Sequence, residues 1–177
     1  MQKASVLLLA LVWATAGLGA QLTSNAKKPL ACVPFEEFRI AELTFSHDLS
    51  DVREMFGKPA SVRSFEGVDD GGAFTYREEL FPGMAVTFGR NDSVDGIKVT
   101  SAEYALPSGV KVGMEFDDVA ETLRFSGVGI RRIGTVRLAP CRSFEEAWLE
   151  LTFDLDEPGS PFARSLLRQI VLWISYD

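Results

Sequence analysis

His47 is the only histidine among 177 residues, so a single chain supports neither a paired-histidine mechanism nor a multi-histidine metal site. It stands just before a helix start and reads as a neighbour of the helix cap. Carboxylates are more numerous. Asp154, Asp156 and Glu157 could offer oxygens to calcium, yet their spacing is not that of an EF-hand. The pairs Asp69-Asp70, Glu78-Glu79, Asp117-Asp118 and Glu145-Glu146 read most simply as solvated turns and helix starts. Glycoside cleavage by carboxylates needs two such groups facing each other across a cleft. A carboxylate-based hydrolase is therefore carried as an alternative without assigned residues. There is no Gly-x-Ser-x-Gly elbow, and Gly127-Val128-Gly129 lacks the rest of a phosphate-binding fingerprint. No catalytic, metal or cofactor residue is assigned, and the chain reads as non-catalytic.

The two cysteines, Cys32 and Cys141, belong to a different chemistry. Residues 1–20 begin with a basic Lys3, continue through an uncharged run centred on Leu7-Leu8-Leu9, and end on the small residues Gly17, Gly19 and Ala20. That is the pattern of a secretory signal peptide, and the apolar run is at the short limit for spanning a bilayer. Export to the periplasm or the medium follows, with no stable membrane insertion after cleavage. Leu30-Ala31-Cys32 imitates a lipoprotein cleavage box, but Lys27, Lys28 and Pro29 separate it from the apolar run. In an oxidising compartment an even cysteine count favours a Cys32–Cys141 disulfide. The formal charge of −7 without a Lys/Arg cluster speaks against nucleic acid. It suits a protein partner of opposite sign, such as a basic hydrolase or toxin.

Residues 21–32 are expected to form a flexible leader. In 33–45, Phe38, Ile40, Leu43 and Phe45 suggest a strand. Segment 48–57 predicts a short helix capped by Asp48, apolar at Leu49, Val52 and Phe56, and stopped by Gly57 ahead of Pro59. Strands are expected around Phe74 and Tyr76, over 84–88, and at 97–101, separated by Pro-Gly, Asn-Asp and Asp-Gly turns. A second helix follows with Phe116, Val119, Ala120 and Leu123 on one face and Ser126-Gly127 as its end. Strands are then expected within 130–138, over 148–153 and over 169–176. In the last two, the aliphatic residues alternate with Trp148 and Trp173. Those two side chains, with Tyr176 near the end, are the candidate binding residues, because exposed Trp and Tyr on a rigid sheet anchor protein interfaces. The competing expectation is that helices or the other half of the chain cover that face.

Val52 and Val119, Phe88 and Phe153, and Ile97 and Ile170 stand at similar offsets, the drift arising in one variable hairpin. The expected fold is therefore α+β: two tandem units, 33–105 and 106–177, each a short helical segment followed by an antiparallel β-meander. Such a tandem pair of helix-then-antiparallel-sheet units, expected in an exported chain, resembles the β-lactamase-inhibitor-protein-like fold, and the phrases Asp51-Val52 through Gly57-Lys58-Pro59 and Val112-Gly113-Met114 through Leu123 resemble the related outer-membrane assembly lipoprotein modules. The resemblance spans about Thr44 to Tyr176 and implies a binder rather than an enzyme. The expected function is an exported protein-binding module, an inhibitor or immunity-type protein in first place. A structural component of envelope assembly is the alternative within that class.

Overall fold

The computed structural model describes residues 32–69, 72–125, 134–141, 146–154 and 165–175, with 68, 69, 146 and 175 known by backbone only. The expected signal peptide and most of the leader lie outside the described residues. Within them are two α-helices, α1 (Leu49–Phe56) and α2 (Phe116–Leu123). Eight strands run β1 (Cys32–Val33), β2 (Ser61–Asp69), β3 (Gly72–Phe81), β4 (Met84–Phe88), β5 (Val94–Val99), β6 (Thr135–Pro140), β7 (Glu146–Phe153) and β8 (Leu167–Ser175). They form one sheet in the order β1-β6-β7-β8-β5-β4-β3-β2. Every pairing is antiparallel except that of β1 with β6. The fold is α+β.

Alternation along the strands divides the sheet into two faces. One carries Met84, Val86, Phe88, Ile97, Val99, Leu149, Leu151, Ile170 and Leu172, all buried. It packs with Val52 of α1 and with Phe116, Val119 and Leu123 of α2 in a single core. Each helix thus presents the apolar stripe read from its sequence to the sheet. The start of α1 is built as a capping box. The Asp48 carboxylate accepts from the backbone N–H groups of Ser50 at 2.7 Å and Asp51 at 3.0 Å, and Asp51 accepts in return from the Asp48 N–H. Gly57, at φ 78°, ends the helix.

Three local expectations are corrected. Segment 33–45 is not a strand beyond Val33: it makes a 3-10 turn at Phe35–Glu37 and a tight Ile40–Leu43 bridge. Phe38, Ile40, Leu43 and Phe45 are nonetheless buried, so a loop delivers the apolar residues that alternation had suggested for a strand. The second helix ends at Arg124, which adopts the left-handed conformation at φ 57°; Ser126-Gly127 lies outside the described residues. Within them, the strand expected in 130–138 starts only at Thr135.

Cys32 and Cys141 form the expected disulfide, with Cα atoms 4.9 Å apart. It sits beside the β1–β6 pairing, where the Cys141 N–H donates to the Val33 carbonyl at 2.8 Å. Closing a loop of 109 residues stabilises the fold by on the order of 4 kcal/mol through chain entropy. Bonds of this kind persist in oxidising compartments. Among the described residues no helix is long and apolar enough to cross a membrane.

Candidate functional site

The face of the sheet opposite the helices is aromatic. Trp148 on β7 and Trp173 on β8 are register partners, with ring centroids 6.4 Å apart. Trp173 then approaches Tyr76 on β3 at 6.2 Å, across β5 and β4. Tyr76 stacks on Phe65 of β2 at 5.2 Å and touches Phe74 at 4.2 Å. The result is a belt of rings from β7 to the far edge of the sheet. A cation covers a ring towards each end: the Arg137 guanidinium lies 5.1 Å from the Trp148 centroid and that of Arg90 4.6 Å from the Phe74 centroid.

The belt can cross the sheet because glycine lies beneath it. Gly96 is the register partner of Trp173, and a Cβ there would come within 2.5 Å of the indole. Gly67 plays the same part under Tyr76, where a Cβ would come within 2.1 Å of the ring. A ring laid over a strand glycine shields backbone that would otherwise face water, so these aromatics have a structural role as well as an open side. Trp148, Trp173 and Tyr76 are half-buried, and Phe65 is 43% exposed.

Two ion pairs lie on this face, besides Lys98 of β5 and the Arg90 guanidinium over Phe74. Arg63 meets Glu78 at 3.2 Å and Arg137 meets Glu150 at 2.9 Å. Both pairs are solvent-exposed on their arginine side, so they contribute little stability. A fully enclosed carboxylate lies on the other face. Glu79 has no exposure, and its Oε1 accepts from Arg53 of α1 and from Arg77, each at 2.6 Å. The same carboxylate raises the Arg53 pKa above its ordinary value through that hydrogen bond. Neighbours in sequence, Glu78 and Glu79 therefore have unrelated roles: one pairs on the surface, while the other clamps a helix to the sheet.

Trp148 and Trp173 are brought together as neighbours on the face opposite the helices, whereas Tyr176 lies outside the described residues. Sequence reasoning did not single out Tyr76, Phe65, Phe74, Arg137 and Arg90. The signal available was glycine at alternate strand positions, at Gly67 and Gly96, but using it requires the cross-strand register. His47 acts locally, its Nδ1 accepting from the Thr44 N–H at 3.1 Å ahead of α1. Asp117 and Asp118 stand in the first turn of α2, as expected for carboxylates at a helix start. Among the described residues no three His, Cys, Asp or Glu side chains cluster as metal ligands.

No protein-family model and no curated protein matches the chain. Among solved structures it is similar to that of the uncharacterized protein yfeY from Escherichia coli, at 18% identity and a TM-score of 0.48, covering 78% of this chain and 97% of that one. The likeness is distant, and the neighbour is itself uncharacterized.

Proposed function

We propose that this chain is an exported, non-catalytic protein-binding module that docks a partner on the aromatic face of its sheet. The observation that carries the reading is the belt Trp148–Trp173–Tyr76–Phe65, which the described helices, packed on the opposite face, leave open. Trp and Tyr held rigidly on strands give large contact area at low entropic cost, and arginine beside them is the other common anchor of interfaces. The Arg63–Glu78 and Arg137–Glu150 pairs are each neutral, so shape and ring burial carry most of the contact there. The acidic excess lies elsewhere, including Glu54 on α1 and Asp117, Asp118 and Glu121 on α2, all exposed. Such charge acts at longer range and favours encounter with a basic protein. An inhibitor or immunity-type role against a basic envelope or secreted hydrolase fits that division of labour. The order helix-then-meander in both 33–105 and 106–177 supports reading the chain as two tandem units, in which the belt crosses the junction.

The test is a pull-down from envelope extract with the disulfide-intact chain, alongside a Trp148→Ala/Trp173→Ala variant, at low and moderate salt. A hydrolase or toxin retained by the native chain and lost by the variant is the expected result. Subunits of an assembly machine lost in the same way would move the role to envelope structure. Partners retained equally by both chains, or none, would remove the aromatic face as the docking surface.

A further inference from the structure

Strand β2 is the bare edge of the sheet. Its nine residues pair in unbroken register with β3, and no described strand pairs with its other side. Backbone N–H and C=O groups of alternate residues therefore point outward along its length, a template for another strand. Two of the usual defences are missing, since there is no proline within Ser61–Asp69 and no register shift between β2 and β3, and the edge carries only the charges of Arg63 and Glu66 along its exposed stretch 61–66. Val62 and Phe65 are 47% and 43% exposed on opposite faces of this edge.

We propose that β2 pairs with the β2 strand of a second copy of this chain, antiparallel about a two-fold axis at Phe65, continuing the sheet from one protomer into the next. The register follows from the sequence of the strand. A two-fold antiparallel pairing that keeps each face continuous must centre on a residue. Centring on Arg63 or on Glu66 would set like charges directly opposite each other, which is destabilising. Centring on Ser64 would set Val62 against Glu66 and leave the end of the strand unpaired. Centring on Phe65 pairs the whole strand: Phe65 with Phe65, Val62 with Val68, Ser64 with Glu66, Ser61 with Asp69 and Arg63 with Gly67. Ser64 then faces the Glu66 carboxylate, and no residue of like charge is set opposite another. Arg63 would come opposite Gly67, over which the Tyr76 ring lies, so the cation gains a π face. Phe65 already stacks on Tyr76, and the Phe65 pair would join the aromatic belts of the two copies into one. This pairing does not depend on what the belt itself binds.

Sedimentation equilibrium on the purified, disulfide-intact chain, in moderate salt to screen its −7 charge, should show a mass rising with concentration from one chain towards two. Phe65→Lys, which sets two ammonium groups face to face, should remain monomeric throughout, while Trp148→Ala/Trp173→Ala should dimerise like the native chain. A register scan guards against loss of the hairpin in the lysine variant. Phe65→Cys should cross-link to its own copy under mild oxidation, and Ser64→Cys, which faces Glu66, should not, with the Cys32–Cys141 bridge verified intact by mass spectrometry. Self-pairing is overturned by a native chain that is monomeric at every concentration, which would leave the edge to a strand from another protein. It is equally overturned by a dimer that survives Phe65→Lys, by a dimer that is lost in the double tryptophan variant, or by cross-linking at Ser64 instead of Phe65.

Discussion

The two faces of the sheet are made by the same strands, yet they are built by different means. On the inner face Val86, Ile97, Leu149, Ile170 and Leu172 are at most 1% exposed and form the core with both helices. On the outer face Trp148, Trp173 and Tyr76 remain half-buried, with rings in contact and with Trp173 and Tyr76 seated over glycine. Stability on the inner face comes from removing aliphatic surface from water. The outer face relies on cross-strand ring contacts, which are individually weaker. A face of the second kind can lose side chains without unfolding the protein, which frees it to be used for recognition.

Leu172→Ala is the substitution expected to cost most. Leu172 lies between Ile97 and Leu149 in register, with no exposure, and truncation should remove about 3 kcal/mol of stability, read from urea unfolding midpoints. Glu79→Ala comes next. It abolishes both inner-face ion pairs, but Arg53 and Arg77 keep side-chain exposures of 44% and 35% and can turn to water. The loss should therefore be about 2 kcal/mol, below that of a fully enclosed pair. If Glu79→Leu proved as stable as the native chain, the clamp would be a device for positioning α1 rather than a source of stability.

On the outer face, Trp173→Ala should cost only about 1 kcal/mol in unfolding while removing partner retention in the pull-down. A loss comparable with that of Leu172→Ala would mean that the two faces are not energetically distinct. Gly96→Ala sharpens the same point, since its Cβ would displace the Trp173 indole with little change in overall burial. Its expected signature is a changed tryptophan fluorescence spectrum with weakened binding.

The smallest effect is at the start of α1. Hydrogen bonds from the Ser50 side chain and then from the Asp51 and Ser50 N–H groups hold the Asp48 carboxyl below its ordinary 3.8. A lowered folded-state pKa means that the stabilisation is complete above the unfolded value and is lost as pH falls through the folded one. Between pH 6 and that unfolded value, both roughly placed, the cap should be insensitive to acid. Below it, the native chain should lose more stability than Asp48→Asn, which accepts the same N–H bonds without titrating. Parallel denaturation curves for the two chains across this range would remove Asp48 as the acid-sensitive group.

Features that depend on residues two to four positions apart were legible in the chain. The Asp48 cap, the apolar stripes Leu49-Val52-Phe56 and Phe116-Val119-Leu123, the strand Met84–Phe88, and the alternation that sets Trp148 and Trp173 apart from Leu149 and Leu172 are all local in origin. An even cysteine count behind an expected export signal was enough to expect the Cys32–Cys141 bridge. Which strands became neighbours follows from the folded chain alone. The β5–β8 pairing joins residues about 70 positions apart, and its register is written in no local pattern. That pairing put Gly96 beneath Trp173 and carried the belt across to Tyr76 and Phe65. It also made β2 an edge. The loop at 33–45 misled for the same reason: burial of Phe38, Ile40, Leu43 and Phe45 follows from where the segment lies against the core, and spacing along the chain does not distinguish a strand from a turn that happens to be covered.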